Sequence, residues 1–150
     1  MLRVALLVLA VLLAAPAVAG QLRPLMQTDM CLDASMPLRP GFNRVSIAPC
    51  NDSEAQDVRR GRQDTIYVGK ACLQAYVVEG QTDIEVMTAP CHGRDGQRWI
   101  LTRDGRLSSG EQRCLTVTGA QDAPRLLMNP CGTTPEEMRP QKWAIYGKFD

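Results

Sequence analysis

The spacing of the six cysteines constrains the fold of this 150-residue chain more than any other sequence feature. The cysteines are Cys31, Cys50, Cys72, Cys91, Cys114 and Cys131. They form three successive pairs, whose members lie 19, 19 and 17 residues apart, and matching members of neighbouring pairs lie 40 to 42 residues apart. A fixed period of this length indicates a repeat architecture, in which one unit cannot bury its own apolar face. We therefore predict three repeats of about 41 residues.

Other residues recur with the same period, although they were not used to find it. A leucine follows the first cysteine of each pair, at Leu32, Leu73 and Leu115, and a proline precedes the second, at Pro49, Pro90 and Pro130. Five residues before the second cysteine stand Val45, Val86 and Leu126. Three residues before it stand Ile47, Thr88 and Met128. Chance agreement at so many positions is improbable, so the sequence itself supports the repeat.

Each repeat also carries a glutamine after its second cysteine and a large or apolar residue two positions later. The glutamines are Gln56, Gln97 and Gln141, followed by Val58, Trp99 and Trp143. Six or seven residues before the first cysteine stand the aliphatic residues Leu25, Ile66 and Leu107. We expect these recurring apolar positions to meet in one core, with Trp99 and Trp143 as its largest members.

The local pattern favours short β-strands. Runs such as Val45–Ile47 and Leu126–Met128 lead to a proline, which donates no N–H to a strand ladder. Turn pairs such as Pro40-Gly41 and Asp104-Gly105 divide each repeat into short pieces, and 12 glycines and 10 prolines are too many for long helices. Four short strands per repeat predict an all-β fold of about twelve strands, a number that suits a closed barrel capped by hairpins.

Residues 1–19 have the pattern of a secretory signal peptide. Arg3 supplies the positive charge, Val4 to Ala15 form the apolar run, and Ala17-Val18-Ala19 fits the cleavage site. The apolar run is too short to span a membrane comfortably. We therefore expect a mature domain, residues 20–150, that is secreted or periplasmic and has no membrane span, with repeats at about 22–61, 62–103 and 104–150.

In an oxidising compartment, an even number of cysteines indicates disulfides. Fifteen pairings are possible for six cysteines, and the repeated spacing selects one bridge within each repeat. The expected bridges are Cys31–Cys50, Cys72–Cys91 and Cys114–Cys131.

The Cys-Leu-Asp run at residues 31–33, the phased cysteine pairs and the Gln-x-Trp motifs at residues 97–99 and 141–143 resemble the ricin B-type lectin family. The resemblance covers essentially the whole mature chain. It implies a β-trefoil of three roughly forty-residue repeats that binds galactose-like and related sugars. The same fold also serves as a protein-interaction scaffold, as in the receptor-engaging subunits of cytolethal distending toxins.

The sugar sites that the resemblance implies are degenerate in this sequence. In such lectins an Asp two residues after the first cysteine accepts sugar hydroxyls, and an aromatic ring two residues before the second cysteine stacks on the sugar. A polar residue stands four before the second cysteine, and an Asn precedes the repeat's glutamine. In the order of the three repeats, the Asp position reads Asp33, Gln74 and Thr116, and the ring position reads Ala48, Ala89 and Asn129. The polar position reads Ser46, Met87 and Leu127, and the Asn position reads Ala55, Gly96 and Pro140. No repeat has the full set, and none has the ring.

The first repeat retains the best candidate site, formed by Asp33, Ser46 and Gln56. An alternative role for Asp33 is to brace the turn after Cys31, which is a common use of Asp. A stacking ring could come from Phe42 or Tyr76, although the sequence does not fix where either ring points.

The cluster Arg59-Arg60-Gly61-Arg62 is the one charged run that suggests a ligand. Arginine grips carboxylate and sulfate well, so one interpretation is a site for anionic glycans. The simpler interpretation, which we favour from the sequence, is a solvated hairpin turn whose charge Asp57 and Asp64 balance.

The remaining features exclude several function classes. A formal net charge of +1 gives no basis for nucleic-acid binding. With His92 the only histidine and every cysteine assigned to a bridge, neither a zinc site nor a Ser-His-Asp triad is indicated. No phosphate-binding or dinucleotide-binding motif is present. We therefore expect a non-enzymatic protein without metal or cofactor. Two functions remain: weak binding to glycans or a glycoprotein surface, or interaction with a separate protein subunit without sugar binding.

Overall fold

The computed structural model describes residues 20–110, 112–120 and 122–149, so the predicted signal peptide lies outside the described residues. Twelve strands are present: β1 (Gln21–Pro24), β2 (Met30–Arg39), β3 (Phe42–Pro49), β4 (Val58–Arg60), β5 (Ile66–Val68), β6 (Ala71–Val77), β7 (Ile84–Ala89), β8 (Ile100–Leu101), β9 (Leu107–Ser109), β10 (Arg113–Thr118), β11 (Arg125–Pro130) and β12 (Trp143–Tyr146). The α-helix α1 covers Pro135–Met138, and 3-10 helices cover Glu54–Gln56, Arg62–Asp64 and Arg139–Gln141. Within this part of the chain, no helix has the length and apolar character that crossing a membrane requires.

The twelve strands form three units of four. The middle two strands of each unit make an antiparallel hairpin, in the pairs β2–β3, β6–β7 and β10–β11. The last strand of each unit pairs with the first strand of the next, in β4–β5 and β8–β9, and β12 of the third unit pairs with β1 of the first. The first and last strands therefore close on each other, which leaves few exposed edges for aggregation.

The three hairpins also pair with one another. Strand β7 contacts both neighbours, through Asn43↔Thr88 on β3 and Leu127↔Glu85 on β11. Three hairpins that pair with one another, together with three strand pairs that join successive units, form the β-trefoil that the sequence predicts. Both the all-β class and the threefold repeat are thus confirmed.

One core runs through all three units and contains most of the recurring apolar positions. Leu32, Leu73 and Leu115 are fully buried, and so is Val58. Trp99 and Trp143 are 2% and 3% exposed. The indole N–H of Trp99 donates to Leu73 O at 2.9 Å, and that of Trp143 donates to Leu115 O at 3.0 Å. Each ring thus fills the core and also satisfies a buried carbonyl of its own unit.

The expectation that Leu25 occupies a core position is wrong. Leu25 is 49% exposed, whereas Leu22 is fully buried. The strand register explains the difference. Ile66 pairs with Arg60, two residues after Val58, and Leu22 pairs with Ile145, two residues after Trp143. Leu22 is therefore the first unit's equivalent of Ile66. Five residues separate β1 from β2, against two between β5 and β6, so the longer connection shifts the first unit's numbering.

All three predicted disulfides are present, each within its own unit: Cys31–Cys50, Cys72–Cys91 and Cys114–Cys131. Each bridge joins the start of a hairpin to the residue that follows it. In the chain-entropy estimate, closing a loop of this length stabilises the fold by about 3 kcal/mol.

Candidate functional site

The three glutamines of the repeat are buried, with Gln56 and Gln97 at 0% exposure and Gln141 at 3%. Gln56 and Gln141 each end a 3-10 helix that turns the chain back toward its hairpin. In every unit the side-chain Nε2 donates to the carbonyl of the proline before the second cysteine, at 2.9 to 3.0 Å. The glutamine Oε1 accepts a backbone N–H from just after that cysteine, at Asn51, His92 or Gly132.

The second proton of each glutamine Nε2 goes to the residue two positions after the first cysteine. The acceptors are Asp33 Oδ2 at 2.9 Å, Gln74 Oε1 at 3.0 Å and Thr116 Oγ1 at 3.1 Å. This position is the one at which the family's sugar-binding Asp stands. In all three units it therefore has a structural partner, and only in the first unit is the acceptor a carboxylate.

The structure brings the three predicted site residues together in the first repeat. Asp33 contacts Gln56, and Ser46 lies directly opposite Asp33 across the β2–β3 hairpin. Asp33 is only 3% exposed, and its Oδ1 accepts the backbone N–H of Ser35 at 2.8 Å. The bracing role that the sequence offered for Asp33 is thus present. A carboxylate has about four lone-pair sites, so two acceptor positions are not used by these bonds.

Residues next to Asp33 and Gln56 line a cavity of about 530 Å³, although Asp33 and Gln56 themselves do not. Ser35 and Asn43 contribute from the first hairpin, Glu54 and Ala55 from the following 3-10 helix, and Lys70 from the β5–β6 turn. Lys70 Nζ and Glu54 Oε1 form an exposed ion pair at 3.2 Å across the opening. The cavity offers hydrogen-bond donors and acceptors but has no aromatic ring in its lining. Ser46 lines a different cavity, of about 380 Å³.

Sequence reasoning missed Asn43, Glu54 and Lys70 as candidates. They belong to three different elements, and none occupies a position at which the repeats agree. They meet only because the first hairpin packs against the second unit, where Asn43 on β3 pairs with Thr88 on β7. No sequence signal could have selected them.

The two rings that the sequence offered as stacking candidates lie elsewhere. Phe42 is covered by the guanidinium of Arg39, which lies 3.9 Å from the ring centroid. Tyr76 lines a smaller cavity of about 220 Å³ in the second unit, beside Ser109 and Arg113. Burial, together with a 2.8 Å hydrogen bond to Glu85 and the charge of that carboxylate, raises the pKa of Tyr76 to about 12. Its hydroxyl is therefore a donor committed to Glu85 at neutral pH.

His92 stands beside the second unit's glutamine contact, with its Nε2 3.2 Å from Gln74 Oε1. Within the described residues, no group of three or more His, Cys, Asp or Glu side chains could hold a metal ion. The histidine thus belongs to the loop that follows Cys91, where its Nδ1 accepts the Arg94 backbone N–H at 3.1 Å.

The Arg59–Arg62 cluster lies on β4 and the turn that follows it, and none of its residues lines the first-repeat cavity. Arg59 contacts Asp57 at 3.4 Å and donates to Gly69 O at 2.9 Å. Arg60 pairs with Asp64 at 3.5 Å, and both side chains are more than half exposed. The two aspartates that the sequence assigned to the charge balance are therefore the actual partners.

Comparison with known proteins agrees with this geometry. The family model described as "Ricin-type beta-trefoil lectin domain" matches residues 18–143. An uncharacterized protein of Mycobacterium tuberculosis is 31% identical over 94 residues, and an uncharacterized protein of Mycobacterium bovis matches equally well. The match covers 63% of this chain, which spans only 57% of the length of these curated relatives.

Two solved structures share the fold at low sequence identity. The beta-trefoil lectin of the Vibrio vulnificus hemolysin/cytolysin, solved with N-acetyl-D-lactosamine bound, superposes with a TM-score of 0.66 at 19% identity, covering 88% of this chain and 96% of that one. A non-toxic homologue of type II RIPs from Momordica charantia, in complex with alpha-methyl-D-galactoside, gives a TM-score of 0.65 at 20% identity, covering 85% and 47%. At these identities, the likeness establishes the fold alone.

Proposed function

Because the chain belongs to the ricin-type beta-trefoil lectin domain family, we propose that it is an exported carbohydrate-binding module with one weak sugar site, in the first repeat. The observation that carries this proposal is the contact between Asp33 and Gln56 beside an open cavity. It is the only one of the three equivalent contacts whose acceptor is charged. The site acts by binding alone, without a catalytic step, metal or cofactor.

The charge of Asp33 decides which repeat binds. A pyranose presents hydroxyl donors, and an ionised carboxylate accepts them in hydrogen bonds about twice as strong as those to neutral oxygens. Gln74 and Thr116 can accept only as neutral groups, and each already accepts from its own glutamine. Ser35, Asn43 and Glu54 add polar contacts at the mouth of the first cavity.

The affinity of this site is low because the stacking ring is missing. An aromatic side chain provides a large rigid contact surface, whereas the alanine at position 48 provides very little. We expect dissociation constants on the order of millimolar, or about 4 kcal/mol of binding free energy. A single site of this strength is occupied only where the local sugar concentration is high, as on dense glycans or a glycoprotein surface.

Export follows from residues 1–19, whose charge, apolar run and Ala-x-Ala end fit a signal peptide. The three disulfides support the same destination, because such bridges persist in oxidising compartments. We place the mature domain outside the cytoplasm, either secreted or periplasmic.

A second candidate function is a scaffold that engages a separate protein subunit and binds no sugar. The low exposure of Asp33 favours it, since a carboxylate that braces Ser35 and Gln56 has a sufficient structural role. In this case the degenerate positions would reflect the loss of sugar binding and not a weak form of it.

Titration with methyl α-D-galactoside and N-acetyllactosamine, followed by ligand-observed NMR, separates the two candidates. We expect millimolar binding by the parent and at least a tenfold loss in Asp33→Asn, which removes the charge while keeping the side chain's shape. The matched control is Gln74→Ala at the equivalent position of the second unit, where binding should stay within about twofold. Thermal melting of each variant verifies that the fold is intact.

Unchanged binding in Asp33→Asn would contradict the proposed site. No binding by the parent to these sugars or to a broad glycan array would instead favour the scaffold function.

A further inference from the structure

A second cavity, of about 490 Å³, lies beside the end of β4 and shares no lining residue with the first-repeat cavity. Its walls are Arg60, Gly61, Arg62, Tyr67 and Phe149. Two guanidinium groups and two aromatic rings therefore surround one opening. The stacking position of the lectin family carries no aromatic ring in any repeat of this chain, whereas two rings line this cavity.

The arginines at this cavity differ in the ion pairs that they form with the described residues. Arg59 lies 3.4 Å from Asp57, and Arg60 lies 3.5 Å from Asp64. Arg62 is exposed and forms no ion pair with any residue that the structure describes. Among the described residues, Arg62 thus lines the cavity without a carboxylate partner.

The turn that presents Arg62 is held in a definite shape. Thr65 Oγ1 donates to Arg62 O at 2.7 Å, and the N–H of Gly61 donates to Thr65 O at 2.8 Å. A side chain at Gly61 would overlap Thr65 Oγ1, and its Cβ would lie 2.6 Å from the Tyr67 ring. The absence of that side chain lets the Tyr67 ring lie against the backbone of the arginine turn.

Backbone strain is concentrated in the same turn. Gln63 and Asp64 have φ values of 55° and 59°, in the left-handed region that residues other than glycine rarely adopt. Each such residue costs on the order of 1–3 kcal/mol, and strained residues cluster at binding sites. The two strained residues directly follow Arg62, which lines the cavity.

The second unit lacks this combination and provides an internal comparison. The strand register aligns Arg59 and Tyr67 with Ile100 and Ser108. Arg103 stands 41 residues after Arg62, at the matching place, but it has a serine in place of the tyrosine ring. The arginine turn combined with an aromatic wall is thus absent from the second unit.

We propose that this cavity binds a pyranose that carries a carboxylate, of the uronic or sialic acid type. The Arg59 guanidinium lies over one side of the Tyr67 ring, 5.3 Å from its centroid. The remaining surface of Tyr67 and the Phe149 ring provide the apolar wall against which a pyranose packs. The planar guanidinium of Arg62, aided by Arg60, binds the carboxylate through paired N–H donors. The inference rests on the proposed function in that the ligand is a sugar, but it uses none of the residues of the Asp33 site.

Three probes of matched chemistry test the proposal by calorimetry or ligand-observed NMR. Methyl β-D-glucuronide carries both the ring and the carboxylate, methyl β-D-glucoside only the ring, and acetate only the carboxylate. We expect saturable binding of the glucuronide, at least tenfold weaker binding of the glucoside, and no competition by acetate at equal concentration.

Variants then assign the binding to this cavity. Arg62→Gln should weaken glucuronide binding by about 10- to 100-fold, the range expected for lost hydrogen bonds to a charged group. The matched control Arg103→Gln removes the same charge at the equivalent place and should leave binding unchanged. Phe149→Ala should weaken binding by about fivefold through the lost ring contact. Phe149 also packs against the hydrophobic core, so thermal melting must show that this variant is folded before its binding is compared.

Several results would overturn the proposal: no glucuronide binding by the parent, equal competition by acetate, or equal effects of Arg62→Gln and Arg103→Gln. Asp33→Asn distinguishes this inference from the proposed function. If that variant loses the galactoside but keeps the glucuronide, both sites stand. If it loses the glucuronide as well, the acidic sugar binds at the Asp33 site and the separate cavity is excluded.

Discussion

Thr88 occupies a position in the core at which the other two units carry Ile47 and Met128. It is 0% exposed, and its Oγ1 has no hydrogen-bond partner among the described residues. A buried hydroxyl without a partner costs about 1–3 kcal/mol by protein mutational data. The second unit therefore contains a buried hydroxyl without a partner where the other two units have an apolar side chain.

Replacement of this threonine by valine should stabilise the protein. Thr88→Val exchanges the hydroxyl for a methyl group of similar size and removes the desolvated polar atom. We expect the free energy of unfolding to rise by about 1 kcal/mol, measured by chemical denaturation. The control is Thr102→Val, because Thr102 Oγ1 donates to Asp104 and accepts from the Arg106 N–H, so that change should destabilise. A loss of stability in Thr88→Val would mean that its hydroxyl has a partner, such as a bound water.

At the scale of elements, the hairpin β6–β7 carries a polar contact across its two strands. Tyr76 and Glu85 are directly paired in the strand register, and the Tyr76 hydroxyl donates to Glu85 Oε2 at 2.8 Å. Arg125 from the neighbouring hairpin approaches the other oxygen of the same carboxylate, Oε1, at 3.5 Å. Arg44 on β3 belongs to the third hairpin, and its charge lowers the pKa of Tyr76, against the effect of Glu85. The three hairpins are thus linked by a small charged cluster.

This contact predicts a stability loss at alkaline pH. Burial and Glu85 raise the pKa of Tyr76 from 10.0 to about 12, so the folded protein holds the phenol proton more tightly than the unfolded chain does. The stabilisation is complete below pH 10 and is lost as the pH rises through 12. Melting temperatures of the parent should therefore fall faster over this range than those of Tyr76→Phe.

The matched control for the hairpin is Tyr146→Phe, at an exposed tyrosine on β12. This variant keeps the Tyr76–Glu85 contact and should follow the parent across the same pH range. Identical pH profiles for the parent and Tyr76→Phe would refute the assignment of this effect to the Tyr76–Glu85 contact.

At the scale of the whole molecule, the three units depend on a single core. Val58, Trp99 and Trp143 occupy equivalent positions in it, and none of these side chains is more than 3% exposed. A repeat of this size cannot retain its structure when the shared core fails. We therefore expect one cooperative unfolding transition for all three units, and not three separate ones.

The tryptophans should be the most sensitive positions in that transition. Trp99→Ala and Trp143→Ala each remove a buried ring and leave a carbonyl, at Leu73 or Leu115, without its donor. The expected loss is about 3–5 kcal/mol, and the midpoint of the single transition should fall sharply. Val58→Ala should cost less, and Ile100→Ala, at a side chain that is 63% exposed, should have little effect. Melting curves like the parent's for both tryptophan variants would show that the rings are dispensable for the core.

The repeat, the pairing of the cysteines and the inward tryptophans could be predicted from the sequence because a threefold fold imposes the same local demand three times. A cysteine that must bridge a hairpin, or a Trp that must fill a core, recurs at a constant interval and is visible without coordinates. The one core position assigned wrongly, Leu25, lies beside a longer connection, where the interval is not constant.

The binding surfaces depend on contacts between units, which no period records. Only the tertiary structure brought Asn43, Glu54 and Lys70 around one cavity, and Tyr67 and Phe149 beside Arg62. The burial of Asp33 arises within one unit, where Gln56 folds back over the hairpin, and it too became visible only in the structure. Sequence thus determined what each unit must contain to fold. How the units pack decided which polar groups remain open to a ligand, because distant residues become neighbours only when the three units close on one another.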